Sequence, residues 1–140
     1  MPINISRITI NAPQKKVWDI LTKPEYVKQW QFGSDLETSW EPGSPIFFTS
    51  EWQGKTFKQW GKVLEVKPCE RLIYNLFAPG PGLEDVPENY FMMTYLLYAE
   101  NGQTHLEIIQ EDNRPNARQE PVQGEENPVL QALKGLAEKI

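Results

Sequence analysis

Residues 8–30 constrain the fold of this 140-residue chain more than any other stretch, because they predict a strand that runs directly into two short helices. Pro13 and Pro24 suit the first position of a helix, where the backbone N–H that proline lacks would have no intrahelical partner. Lys23 precedes a proline, which disfavours helical backbone, so the first helix should end near Thr22. Helices this short are unstable alone in water and must pack on a sheet.

The first strand is predicted from isoleucines that alternate with polar residues near the N-terminus. Ile3 and Ile5 share one parity, whereas Ile8 and Ile10 share the other. Such a change of parity predicts a β-bulge near Arg7, since one extra residue would bring both pairs to the same face.

Apolar residues recur at helical spacing after each of the two prolines. Trp18 and Leu21 belong to the first stripe and should anchor the small helices on the sheet. Trp30 ends the second helix and is placed to close one end of any cavity beneath it. This block predicts packing and supplies no catalytic residue.

The centre of the chain predicts a run of strands joined by tight turns. After the two helices, the predicted strands span residues 36–40, 46–52, 56–66, 71–78, 90–100 and 104–111. Asn101-Gly102 gives the strongest hairpin signal, because both residue types tolerate the backbone of a two-residue turn. Consecutive strands with such turns imply an antiparallel meander, which can cover a core on one face only.

Two polar stretches interrupt this order. Residues 79–89 open with four prolines and glycines and contain three acidic residues, which predicts an exposed loop, either a lid or a plain surface excursion. Residues 112–126 show no periodicity and are interpreted as a mobile connector. Asn127 and Pro128 then suit the cap and the first position of a final amphipathic helix about 20 Å long.

Composition excludes several classes of function. A net charge of −5 at pH 7 repels phosphate backbones, so nucleic acid is not expected as a partner. The single cysteine, Cys69, excludes an internal disulfide and suits a reducing compartment. No apolar run approaches the roughly 20 residues that cross a bilayer. We therefore expect one cytoplasmic domain over residues 1–140, without a membrane span or a cofactor.

Several segments, taken in order, resemble one known family. They are INAPQKKVW (10–18), LTKPE (21–25), QW (29–30), GKVLEVKPCERL (61–72) and THL (104–106). They are similar to the activator of heat-shock protein 90 ATPase homologue-like family, within the START-like helix-grip (SRPBCC) superfamily. The resemblance implies an α+β fold, in which a curved antiparallel sheet of six to seven strands carries two short helices after its first strand. A C-terminal helix packs across that sheet, with an apolar cavity between them.

Catalytic chemistry finds little support in the residue types. His105 is the only histidine and alternates with inward-facing neighbours, so we expect it at the surface. Cys69 is expected to be structural rather than a reactive thiol. Glu65 is a weak candidate for a carboxylate on the inner face. We predict no catalytic residue and no metal site.

Aromatic residues and methionines are abundant for a chain of this size and suit either a plain core or a cavity for an irregular apolar ligand. A buried amide or phenol among them needs a hydrogen-bond partner, which could be a ligand, water or the backbone. The cavity candidates are Trp30, Phe48, Trp52, Phe57, Gln59, Tyr74, Tyr90, Met92, Met93, Leu106, Ile108 and Leu133.

Three hypotheses of function follow from these features. The first is a non-catalytic binding module for a small hydrophobic or amphipathic ligand, with residues 79–89 as a candidate gate. The second is an enzyme of the cyclase or hydrolase kind that works in the same cavity and needs an ionisable group there. The third, suggested by the resemblance, is a domain that interacts with a chaperone protein.

Overall fold

The predicted helix-grip architecture is confirmed by the computed structural model, which describes residues 2–31, 33–114, 117–124 and 126–139, with Trp52 described in its backbone alone. Its elements are β1 (Ile3–Ile10), α1 (Gln14–Thr22), α2 (Pro24–Trp30), β2 (Asp35–Thr38), β3 (Pro45–Trp52), β4 (Lys55–Lys67), β5 (Arg71–Phe77), a 3₁₀ turn (Pro87–Asn89), β6 (Phe91–Glu100), β7 (Gln103–Asp112) and α3 (Pro128–Lys139). The seven strands form one antiparallel sheet in the order β1-β7-β6-β5-β4-β3-β2.

Two of the hairpin turns share one backbone geometry, which for Asn101-Gly102 is the geometry that the sequence predicts. Asn101 and Gly102 have φ angles of 51° and 80°, and Gln53 and Gly54 have φ angles of 50° and 77°. Two consecutive positive φ angles define the type I′ turn, whose twist matches that of the flanking strands. The β6–β7 and β3–β4 hairpins therefore have their registers fixed at the turn.

The bulge predicted near Arg7 is wrong. β1 pairs with β7 from Ile3 to Ile10 without a register shift. Ile8 and Ile10 are buried, whereas Ile3 lies on the other face and is 39% exposed. The parity changes because the isoleucines lie on both faces of a regular edge strand.

Residues 117–124, which belong to the predicted connector 112–126, explain how this edge strand is protected. Residues 115, 116 and 125 of that connector lie outside the described residues, and its mobility stays a prediction. Gln123 accepts a hydrogen bond from the Arg7 backbone N–H at 2.8 Å and donates one to the Ile5 carbonyl at 3.0 Å. The Glu120 backbone N–H donates to Asn4 Oδ1 at 2.6 Å. These bonds occupy backbone groups that an edge strand would otherwise expose. Because they use the backbone and amide side chains, they leave no apolar periodicity in the sequence.

The helices cover the concave face of the sheet, and specific contacts stabilise them. Leu21 is 1% exposed in α1, whereas Trp18 is partly buried against the core. The Trp30 indole N–H donates to the Ile20 carbonyl at 2.8 Å, which joins α2 to α1. Asn127 Oδ1 accepts from the backbone N–H of Val129 at 2.8 Å. The predicted cap of α3 is therefore confirmed.

The last helix is too short to cover the whole sheet. Seven strands at about 4.8 Å spacing make the sheet about 29 Å wide, whereas the twelve residues of α3 extend about 18 Å. α3 lies against β1, α1 and α2, so part of the concave face away from β1 lies beyond its reach. No helix among the described residues has the length and apolar character needed to cross a membrane.

A glycine at a close approach of two strands gives a test of this packing. A Cβ atom on Gly61 would lie 1.8 Å from the Asn75 carbonyl oxygen. Since backbone cannot yield as a flexible side chain can, Gly61→Ala should lower the free energy of unfolding by about 1–3 kcal/mol in urea denaturation. Gly80→Ala is the control, because a Cβ there meets nothing within 4 Å. Equal stability of the two variants would contradict the β4–β5 packing described.

Candidate functional site: a groove on the concave face

A groove of about 520 Å³ occupies the uncovered part of the concave face. Its floor is formed by the inward-facing residues of β3 to β7, and its ends by residues near the end of α2 and the start of α3. The predicted candidates that line it are Trp30, Phe48, Phe57, Gln59, Tyr74, Met93 and Ile108. The lining residues that sequence reasoning did not select are Gln31, Ser34, Ser50, Leu76, Ala78, Phe91, Tyr95, Gln110, Arg114 and Val129.

Strand pairing brings these residues together from distant parts of the chain. Phe48 lies opposite Gln59, Tyr74 opposite Met93, and Tyr95 opposite Ile108. Directly opposed residues of an antiparallel pair share a face. The groove floor is thus a consequence of register, and the alternation that fixes Met93 inward also fixes Phe91 and Tyr95 inward.

The remaining candidates lie elsewhere. Leu106 and Leu133 are 1% and 0% exposed and belong to the core cluster. Tyr90 and Met92 alternate with the groove residues of β6 and so lie on the outer face. The side chain of Trp52 lies outside the described part of the chain. Ligand binding by any candidate stays a prediction.

Two tyrosines at the groove floor form a buried hydrogen-bonded pair. The hydroxyl oxygens of Tyr74 and Tyr95 are 2.5 Å apart, and the two residues are 2% and 3% exposed. Burial raises the pKa of Tyr95 from 10.0 to about 12. Burial, with the neighbouring Tyr95, raises the pKa of Tyr74 well above its usual value. Both phenols are therefore protonated at physiological pH and can act as hydrogen-bond donors.

Aromatic rings surround this pair. The Tyr74 ring lies 5.6 Å from Tyr95 in an edge arrangement, 5.8 Å from Phe48 and 6.2 Å from Trp40. Trp40 is in turn fixed by its indole N–H, which donates to the Thr22 carbonyl at 2.8 Å. Such contacts favour a defined orientation of the Tyr74 ring.

A charged pair borders the same groove at the end of β7. Arg114 donates to the two Asp112 carboxylate oxygens at 2.8 and 2.7 Å, and its guanidinium lies 4.4 Å from the centre of the Phe91 ring. The hydrogen bond from Arg114 lowers the pKa of Asp112. Asp112 is 5% exposed, whereas the Arg114 side chain is 29% exposed. The buried carboxylate therefore neutralises the cation beside the groove.

Among the other polar side chains of the groove, Gln110 donates to Asp112 Oδ2 at 3.4 Å. Within the described residues, Gln31, Ser50 and Gln59 make no side-chain hydrogen bond, and Phe57 at the rim is 49% exposed. An apolar floor with a few polar groups is typical of sites for small molecules.

The carboxylate proposed for the inner face is not there. β4 has its bulge between Val63 and Glu65, which moves Glu65 to the face of Ile73, outside the groove. Arg71 donates to Glu65 at 2.7 Å on that outer face. His105 is also on the outer face, as predicted, with Nδ1 2.8 Å from Thr9 Oγ1.

In the described ranges, no three His, Cys, Asp or Glu side chains are grouped so that they could share a metal ion.

The loop 79–89 packs on the outer face, and none of its residues lines the groove. Asp85 accepts hydrogen bonds from the Trp60 indole N–H at 2.9 Å and from the Tyr90 hydroxyl at 2.6 Å. Phe77 lies beneath, 2% exposed, with ring centres 5.3 Å from Trp60 and 5.5 Å from Tyr90. The loop thus covers a small outer aromatic cluster, and a gating role stays a prediction.

Comparison with known proteins shows a match to one family and to many solved structures with a similar fold. The sequence pattern of the family described as "Activator of Hsp90 ATPase homolog 1-like protein" matches residues 11–138. The solution structure of ChR145 from Cytophaga hutchinsonii is 34% identical, covers 83% of this chain and 80% of that chain, and has a TM-score of 0.70. No curated protein matches the chain in sequence.

Two further solved structures show the fold alone, since both are 20% identical to this chain. NE0264 from Nitrosomonas europaea covers 99% of this chain and 95% of that chain, with a TM-score of 0.77. The Aha1 dimer from Colwellia psychrerythraea covers 84% and 81%, with a TM-score of 0.61.

The raised pKa values predict how stability changes at high pH. Below about pH 10 the tyrosines are neutral in both states, but above it the unfolded chain loses protons that the folded chain retains. Each buried tyrosine should therefore lower the free energy of unfolding by roughly 1 kcal/mol per pH unit until its folded pKa is reached. Urea denaturation between about pH 9 and 11 should show this slope, and Tyr95→Phe should reduce it.

Tyr98→Phe is the control for this slope, because Tyr98 is 52% exposed. It should leave the slope unchanged. A Tyr95→Phe protein with the full wild-type slope would show that burial does not hold the proton on this phenol.

Proposed function

The chain belongs to the Activator of Hsp90 ATPase homolog 1-like protein family, and we propose that it is a non-catalytic binding module for a small hydrophobic or amphipathic ligand. The ligand lies on the concave face of the sheet, in the groove next to the C-terminal helix. The observation that carries the proposal is the groove itself. Its volume of about 520 Å³ falls within the roughly 300–1,000 Å³ typical of small-molecule sites.

The chemistry of the lining supports a bound molecule over a solid core. Phe48, Phe57 and Phe91 contribute aromatic rings to the lining, and Met93 contributes an adaptable thioether chain. Gln59 brings a side-chain amide to the same face without a partner among the described residues. A polar group beside an apolar surface costs free energy if it is covered without a hydrogen bond, so an amphipathic ligand fits better than side-chain collapse.

The same lining argues for binding rather than for acid–base catalysis. The titratable groups among the groove residues are Tyr74, Tyr95 and Arg114. The two phenols retain their protons and the guanidinium is bound to Asp112. A general base needs a pKa near the working pH, and the described lining includes neither a histidine nor a carboxylate. An enzyme of the cyclase or hydrolase kind would need a general base from the ligand or from a residue outside the described lining.

Filling the groove should weaken binding. Ser50 lines the groove, and Thr49, its neighbour on β3, points to the opposite face. Ser50→Trp should lower the affinity at least roughly tenfold for any ligand found in a panel of lipids, flavonoids and aromatic polyketides. The reason is that the new indole occupies the space of the ligand. Thr49→Trp, which adds the same side chain to the outer face, should keep wild-type affinity. Displacement of the dye 8-anilinonaphthalene-1-sulfonate measures the ligand affinity of both variants.

Two outcomes of this titration would oppose the proposal. If no member of the panel binds the wild-type protein, and no small molecule is found by mass spectrometry of the purified protein, the groove has no ligand role. If Thr49→Trp weakens binding as much as Ser50→Trp, the ligand does not lie in the groove.

The alternative is interaction with a chaperone protein, which rests on the family description alone. It predicts that the purified protein stimulates the ATPase of a heat-shock protein 90 chaperone in a coupled assay. An unchanged rate at saturating protein removes this alternative, and stimulation that Thr49→Trp abolishes but Ser50→Trp retains would favour it over ligand binding.

A further inference from the structure

The tyrosine pair at the groove floor has one hydroxyl hydrogen more than it has protein acceptors. Each phenol can donate one hydrogen bond. The Tyr74 and Tyr95 hydroxyls are 2.5 Å apart, so one of them donates to the other and the second hydrogen points elsewhere. Within the described residues no other hydrogen bond reaches either oxygen. The remaining O–H therefore lacks an acceptor although both residues are at least 97% buried.

The pair lies at the floor of the groove. Tyr74 and Tyr95 both line it, on adjacent strands, and the Tyr74 ring contacts the rings of Phe48 and Trp40. A buried donor that stays unpaired lowers stability. An acceptor on the molecule that fills the groove would satisfy it.

The charges near the pair decide which acceptor fits. Arg114 is the cation among the groove-lining residues, and its guanidinium already holds Asp112 with two hydrogen bonds of 2.8 and 2.7 Å. A carboxylate at the pair would be buried without a free cation, at a large desolvation cost. A neutral oxygen, such as that of a ketone, accepts the hydrogen bond without this cost.

The geometry points to a flat, largely apolar ligand that carries a neutral carbonyl oxygen, which the Tyr74–Tyr95 hydroxyl pair binds as hydrogen-bond donor. This inference rests on the proposed function and adds the chemical class of the ligand. The rings that surround the pair fit the flat body, and the pair selects for the oxygen.

The test compares two probes that share one ring skeleton. Fluorenone carries a ketone oxygen, and fluorene lacks it. In competition with 8-anilinonaphthalene-1-sulfonate, the wild-type protein should bind fluorenone roughly two- to tenfold more tightly than fluorene, the range expected for one net hydrogen bond. Tyr74→Phe with Tyr95→Phe should remove this preference and leave fluorene binding intact. Each single variant keeps one donor and should keep the preference.

Tyr98→Phe, which removes an exposed hydroxyl, is the matched control and should bind both probes as the wild type does. If the double variant fails to fold, the carbonyl ¹³C resonance of labelled fluorenone on the wild-type protein answers the same question. It should move downfield relative to fluorenone in hydrocarbon solvent, because a hydrogen bond deshields the carbonyl carbon.

Failure of this inference can be told from failure of the proposed function. Equal affinities for the two probes in the wild-type protein, or a carbonyl resonance at its hydrocarbon position, overturn the role of the tyrosine pair and leave the groove as a binding site. If neither probe displaces the dye while members of the wider panel do, the aromatic ketone class is wrong. If nothing binds, both proposals are overturned.

Discussion

The structure depends on the need to keep the apolar concave face of a seven-stranded sheet away from water. Three helices of nine, seven and twelve residues pack on that face, and the longest extends about 18 Å across a sheet about 29 Å wide. The last helix lies against β1, α1 and α2, and the Trp30 indole joins α2 to α1. Part of the concave face lies beyond the end of α3 and stays uncovered. The groove lies on that part. The groove is thus a consequence of helix length, and its chemistry follows from the strand residues left beneath it.

The fold was predictable because the decisive signals are local. Pro13 and Pro24 mark where helices begin, and Asn101-Gly102 marks a turn whose backbone few residue types adopt. The parts that could not be predicted depend on contacts between distant segments. Residues 117–124 are held along β1 by backbone and amide bonds, which leave no periodic signal. The bulge between Val63 and Glu65 moves a carboxylate from the expected inner face to the outer one.

The candidate site was likewise predictable where the signals are local and not where they depend on contacts between distant segments. Seven of the residues selected from the sequence line the groove, because aromatics and polar groups on predicted strands are visible without a structure. Met92 and Met93 were both selected, although neighbours on a strand point to opposite faces. Applying the alternation strictly would have replaced Tyr90 and Met92 by Phe91 and Tyr95. The pairing of Tyr95 with Tyr74, by contrast, depends on the register between β5 and β6, which the sequence does not reveal.

The central claim is that a ligand binds to the concave face of the sheet, and the two adjacent methionines of β6 test it most directly. Their methyl groups lie on opposite sides of one strand, Met93 in the groove and Met92 on the outer face. In ¹³C-methyl methionine NMR spectra, assigned with Met92→Leu, titration with 8-anilinonaphthalene-1-sulfonate should shift the Met93 resonance and leave that of Met92 in place. A shift of Met92 alone, or of neither resonance while the dye binds, would contradict the account.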